Sequence, residues 1–236
     1  MKKAATATTA AASILLLSAG ILWQLAFRLP NVDLQPLPEK LIPLMAVEGQ
    51  RLLESADSAD HQALAAAFER QRRPAYCGVA SIVVVLNALR PGRPIAQASF
   101  FPSLSMELRV TFSGMTLDQL GDLLRQRRAN VEVVHADEST LEAFRTKARE
   151  NLSRAGDYIL VNYQRSGLGQ VDGGHISPLA AYSADTDRFL ILDVAAHRYP
   201  PVWVSAADLW NALNTIDSTS RQTRGFVVVG DGTPPM

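Results

Sequence analysis

The chain has 236 residues, enough for one domain with an extension. Hydrophobic residues make up 47% and charged residues 19%, a composition that builds a sizeable core. A formal net charge of +0 removes the basic face that nucleic-acid binding needs, and a single cysteine with four scattered histidines removes intramolecular disulfides, thiolate zinc cages and HExxH-type metal helices.

Lys2 and Lys3 precede an uncharged run over residues 4–27, ended by Arg28. A basic start with an apolar middle marks an export signal, and the run reaches the roughly 20 residues that span a bilayer. Leu17-Ser-Ala19 is a poor cleavage site because Leu17 is large. Residues 1–29 are therefore expected to be either a signal peptide or an uncleaved signal anchor. Both place the domain outside the cytoplasm, periplasmic or membrane-anchored, with Lys2 and Lys3 inside. Residues 30–56, with Pro30, Pro36, Pro38 and Pro43, read as a linker or arm. Residues 57–236 are expected to form the main domain, and a homodimer is left open.

A helix is expected over 57–70, capped by Asp57 or Ser58. The next helix starts at Cys77, just after Pro74, is apolar almost all round, and ends near Pro91-Gly92. A thiol at such a start feels the positive end of the helix dipole, which favours thiolate. Gln71, six residues earlier, carries an amide that can donate to an oxyanion beside the sulfur. Residues 91–113 read as irregular. Capping boxes at Thr116–Gln119 and Ser139–Glu142 open helices to about 128 and 153, with a short strand over 131–135 between them.

Strands are then expected over 158–163, 175–182, 188–193 and 225–229, with a helix over 206–214 capped by Ser205. Short turn-rich links favour antiparallel pairing. Helices first and strands later imply an α+β fold in two segregated layers.

His175 opens one strand after Gly173-Gly174, and Asp193 ends another. Neighbouring strands can set an imidazole beside a carboxylate. Cys77 would attack a carbonyl, His175 would move the proton, and Asp193 would fix the imidazole. Taken singly, Cys77 also reads as an inert core thiol, His175 as a structural histidine and Asp193 as a turn carboxylate. His135 and His197 are read as structural or surface groups, and His61 as solvated. Asn162, Arg165 and Arg224 suggest a substrate side, since arginine pairs with carboxylates; singly, an exposed arginine reads as a solvated charge.

Pro-Ala-Tyr-Cys-Gly-Val-Ala-Ser at 74–81, Gly-Gly-His-Ile-Ser-Pro-Leu-Ala-Ala-Tyr at 173–182 and Leu-Asp-Val-Ala at 192–195 resemble the phytochelatin synthase family. Tyr199-Pro-Pro-Val-Trp-Val204 and Thr223-Arg-Gly-Phe-Val-Val228 extend the likeness over roughly 60–230. The resemblance implies a papain-like cysteine peptidase fold, with a helical layer carrying the nucleophile packed on an antiparallel sheet. It implies glutathione γ-glutamylcysteinyltransferase or glutathione hydrolase chemistry through a γ-Glu-Cys acyl-enzyme on Cys77. It makes Cys77, His175 and Asp193 the triad and Gln71 the oxyanion donor. It places Asn162, Arg165, Gly174 and Arg224 around the acyl part of glutathione. No cofactor is required of the chain; cadmium or zinc would enter as a thiolate complex of the substrate.

Two features depart from the family. The plant enzymes carry a further cysteine-rich region, whereas this sequence ends at Met236 and resembles the short bacterial form, which favours hydrolysis. Ala196 stands where a basic residue is common. The alternatives are another papain-like cysteine peptidase, or an inactive envelope-bound domain that binds peptides or thiol ligands.

Overall fold

The computed structural model describes residues 18, 20, 21, 23–171 and 173–232. The expected signal or anchor therefore lies mostly outside the described residues, although 23–27 are helical. Among the described residues no helix is long and apolar enough to cross a membrane.

Seven strands among the described residues form one antiparallel sheet. They are β1 (Ile42–Pro43), β2 (Ala129–His135), β3 (Asp157–Gln164), β4 (Gly174–Ser183), β5 (Arg188–Ile191), β6 (Val202–Ser205) and β7 (Gly225–Asp231). Their spatial order is β1-β6-β5-β4-β3-β7-β2. Among the described residues beyond Phe27 the α-helices are α1 (Val47–Glu54), α2 (His61–Ala66), α3 (Cys77–Leu89), α4 (Leu104–Ser113), α5 (Leu117–Gln126), α6 (Leu141–Leu152) and α7 (Ala206–Leu213).

The mixed helix and antiparallel-sheet class agrees with the α+β expectation. The layering differs. Central strands β3 and β4 are buried along nearly their whole length, so both faces need cover. Tyr158 and Leu160 of β3 face the α3 side, with Val83 and Leu120. Ile159, Val161 and Tyr163 face the other side, with Phe144 of α6 and Leu209 of α7. The period-two alternation thus feeds two hydrophobic cores rather than one.

Four local readings also change. The helix expected over 57–70 shortens to α2, because Asp57 instead pairs with Tyr182 through both backbone bonds, each 2.9 Å. The irregular stretch 91–113 contains α4, capped by Ser103, whose hydroxyl accepts from the Met106 N–H. The second capping residue is Thr140 rather than Ser139. The capping box at Thr116 forms as expected. The stretch read as an arm holds α1, fixed by Trp203 Nε1 donating to the Gly49 carbonyl at 3.0 Å.

Candidate active site

α3 is apolar all round because it is buried all round: Val79, Ile82, Val83, Val84 and Val85 are inaccessible to solvent. Cys77 is its first residue, and the preceding Tyr76 makes no side-chain cap bond. The first-turn N–H groups are therefore free to serve an anion beside the sulfur. A Cβ at Gly78 would meet Met115 Sδ at 2.8 Å and Ile176 Cδ1 at 3.4 Å, so the glycine lets the helix start press against β4. Ser81, one turn on, donates from Oγ to the Ile176 carbonyl at 3.0 Å.

His175 stands on β4 beside that carbonyl, opposite Tyr163 of β3. Its Nε2 lies 2.8 Å from Asp193 Oδ1, which leaves Nδ1 for Cys77. Asp193 follows β5 and is fully buried. The same carboxylate oxygen accepts from the Ala195 N–H at 2.8 Å. Burial would push the Cys77 thiol up, but hydrogen bonding and charge from His175, the Ile176 backbone and the Arg165 charge together bring it below its ordinary value. Burial and Arg165 would lower His175, yet the Asp193 carboxylate and Cys77 hold it above its ordinary value. Burial works against the ionised form of Asp193, but His175, Arg165 and the Ala195 N–H keep it well below the usual carboxylate range. These directions agree: they favour a thiolate facing an imidazolium.

The other expected site residues line the same cleft of about 430 Å³. Gln71 is buried, and its backbone N–H bonds the Val194 carbonyl at 2.8 Å. Its Nε2 donates to the carbonyls of Arg73 at 3.0 Å and Pro74 at 2.7 Å, so its amide protons point at the nucleophile loop. Serving an oxyanion requires one of those bonds to yield. Asn162 sits on β3 between Ile176 of β4 and Gly225 of β7.

Arg165, a substrate-side candidate from the sequence, lines the cleft, and its guanidinium is also bound by protein groups: Nη2 lies 2.8 Å from Asp193 Oδ2, and Nη1 donates to Gln170 Oε1 at 2.7 Å. The Tyr199 ring lies 4.9 Å from its centre. Arg224 is the converse case. It is 5% exposed, and its Nε and Nη1 are buried without a partner. A Cβ at Gly174 would sit 2.7 Å from Arg224 Nη2, so the glycine leaves room for the guanidinium where it stands.

Sequence reading missed four contributors: Ser81, Gln170, Asp217 and His197. Asp217 reaches the cleft because residues 216 and 223 bridge and fold a turn back beside Arg224. That pairing carries no sequence mark. His197, which has the sequence context of a structural or surface group, lines the cleft wall. Among the described residues no group of three or more His, Cys, Asp or Glu side chains could hold a metal ion.

A helix-borne thiol beside a strand-borne imidazole and carboxylate defines the class: an α+β protein with a cysteine–histidine–aspartate constellation. Within that class, the family model described as phytochelatin synthase matches residues 32–226, and the chain belongs to that family. Among its relatives is glutathione gamma-glutamylcysteinyltransferase 3 of Lotus japonicus, 37% identical over 170 residues, which covers 69% of this chain and 36% of the relative. Glutathione gamma-glutamylcysteinyltransferase 1 of Triticum aestivum is 34% identical over 200 residues, covering 80% and 40%. Glutathione gamma-glutamylcysteinyltransferase of Schizosaccharomyces pombe is 29% identical over 193 residues, covering 76% and 45%. The chain thus matches less than half the length of each of these relatives.

Proposed function

We propose that the chain is a glutathione γ-glutamylcysteinyltransferase with a papain-like fold, working through a γ-Glu-Cys acyl-enzyme on Cys77. The observation that carries this is the combination of the coupled Cys77–His175–Asp193 set with an unpartnered Arg224 in one cleft. The relatives' names supply the substrate, and the site chemistry suits it. The Cys77 thiolate attacks the carbonyl of the Cys–Gly bond. The Cys77 N–H at the open helix start stabilises the oxyanion, joined by Gln71 once it releases a loop carbonyl. His175 gives its proton to the departing glycine amine, and a thioester remains. The amine of a second glutathione, or water, attacks the thioester and returns a proton to His175.

Arg224 fits the α-carboxylate of the γ-glutamyl group, and Asp217 beside it fits the α-ammonium. Burial lowers the Arg224 pKa and Asp217 opposes that, so a bound carboxylate would supply the partner the guanidinium lacks. Asn162 lines the same cleft from β3, next to β7 in the sheet. Arg165 acts from behind, holding Asp193. Cadmium or zinc is read as part of a thiolate-complexed substrate. We further propose a catalytic domain over 57–236 and envelope localisation through residues 1–29, resting on the basic-then-apolar start of the sequence.

Mass spectrometry of purified protein with glutathione, with and without cadmium, tests the reading. Glycine release with γ-Glu-Cys or longer γ-Glu-Cys polymers is expected, and Cys77→Ala abolishes it. Equal glycine release by Cys77→Ala would overturn it.

A further inference from the structure

The row of strands fixes which side of the sulfur each cleft group occupies. Reading across the sheet, β7 and β3 lie on one side of β4, and β5 on the other. Arg224 immediately precedes β7, so it flanks His175 on the β3 side. Asp193 and the turn after it follow β5, so Ala195 and His197 flank His175 on the opposite side. An acyl group attached to Cys77 and the group that leaves it must lie on opposite flanks of the sulfur. With the acyl carboxylate at Arg224, the leaving group falls on the flank of His197.

His197 is 6% exposed, and its Nδ1 is buried with no hydrogen-bond partner. Buried polar atoms are nearly always paired, so an orphan in a cleft wall calls for a ligand. Arg224 is the other orphan cation-type donor of this cleft. Glutathione carries two carboxylates, one at each end, and the cleft offers one unpartnered nitrogen group on each flank. We infer that His197 is a specificity-determining residue for the leaving side, taking the glycyl carboxylate of glutathione while Arg224 takes the γ-glutamyl one.

The turn that carries His197 is braced for this. Arg198 and Tyr199 both donate backbone N–H groups to the Ala195 carbonyl, at 2.7 and 3.2 Å. The Asp33 N–H donates to the His197 carbonyl at 2.8 Å, and Gln35 to Arg198 at 2.9 Å. The segment before the catalytic domain thus clamps the turn, and the imidazole is held in place before substrate arrives. Burial lowers its pKa, the Asp193 charge opposes this, and the Arg70, Arg165 and His175 cations add to the lowering. It therefore meets the glycyl carboxylate as a neutral donor that gains charge if it binds tightly.

The inference rests on the proposed function, and binding separates the two. In a Cys77→Ala background, which cannot turn over, calorimetry compares glutathione with γ-Glu-Cys, which lacks glycine. Glutathione is expected to bind about tenfold more tightly, a difference of about 1.4 kcal/mol. Adding His197→Phe is expected to remove that preference while γ-Glu-Cys binds as before, and His197→Gln, which keeps a donor, restores part of it. A preference that survives in His197→Phe, or an equal loss for both ligands, overturns the inference. Failure of both peptides to bind the Cys77→Ala protein sinks the functional reading, and the inference falls with it.

Discussion

Ser81 Oγ donates to the carbonyl of Ile176 at 3.0 Å, tying the helix that carries the thiol to the strand that carries the imidazole. Both residues are buried, and each is a near neighbour of a triad member: Ser81 is one turn beyond Cys77, and Ile176 is next to His175. This bond spans the interface across which the sulfur and the ring must meet. Ser81→Ala leaves the Ile176 carbonyl unpaired in the core, so unfolding in urea should show a loss of about 1–3 kcal/mol. Glycine release should fall by more than stability alone accounts for, because the helix start is free to drift from β4. Unchanged urea midpoint and rate would show that packing of Gly78 on Met115 and Ile176 fixes the geometry alone.

The thiolate–imidazolium pairing has a pH signature. Cys77 is brought below its ordinary value chiefly against burial, by His175, Ile176 and Arg165, so thiolate persists as pH falls below the range of free cysteine. Alkylation by iodoacetamide should therefore stay fast at mildly acid pH. In His175→Ala the rate should drop and its midpoint move upward, since burial then acts with less opposition. A parent profile that matches free cysteine would mean that the sulfur is not paired with the ring.

Asp193 and Arg165 form a buried pair, 2.8 Å apart, and this gives Arg165 a role that separates rate from binding. Arg165→Met leaves Asp193 with His175 as its remaining cationic partner, which should destabilise the fold by up to about 3–5 kcal/mol, the cost of breaking a buried ion pair. Arg165→Lys keeps the charge but loses the fork, so kcat should fall while KM for glutathione moves little. The carboxylate is held low in the fold, so its contribution is fully present above about pH 4, the unfolded value, and is lost as pH falls below it. Stability of the parent should drop more steeply below pH 4 than that of Asp193→Asn. A KM rise as large as the kcat loss in Arg165→Lys would return Arg165 to the substrate.

How much of this was legible follows from the kind of signal each residue leaves. Cys77 could be placed because a proline and an unbroken apolar run mark the start of a buried helix. His175 and Asp193 could be paired because antiparallel links are short. The capping box at Thr116 carries its own chemistry. The burial of Arg165 was not legible, because an arginine beside a glycine-rich loop looks exposed in one dimension, and only the return of β5 buries it against Asp193. Asp217 and His197 left no pattern, because their positions come from a turn at 216–223 and from a loop clamped by residues 33 and 35. The second helical layer was unreadable from order alone: β3 and β4 alternate between two apolar faces, so their period is hidden by hydrophobic residues on both sides.

Arg224 makes stability and binding oppose each other. Two of its nitrogens are buried without partners, an arrangement that costs about 1–3 kcal/mol or more in the empty cleft. Arg224→Leu should therefore raise the thermal midpoint of the unliganded protein while raising KM for glutathione at least tenfold. Glutathione should stabilise the parent and fail to stabilise the variant. A variant that is less stable and binds equally well would make Arg224 a structural cation.

Asp60 gives the protein a pH dependence unrelated to the cleft. It is wholly buried, and neither carboxyl oxygen has a hydrogen-bond partner. Burial, and after it the charge of Asp157, pushes its pKa up to about 8. The unfolded chain releases this proton near pH 4, whereas the fold keeps it to about pH 8. Between those values the native state binds more protons than the unfolded state, so stability falls as pH rises through the window and levels off above it. Asp60→Asn has no proton to release and should flatten that slope, with the largest gain over the parent at pH 8 and above and almost none at pH 4. Urea unfolding of both proteins across pH 4 to 9 reads this directly. Parallel curves would mean that the buried carboxyl finds a partner in solution, such as a trapped water, and titrates like an ordinary aspartate.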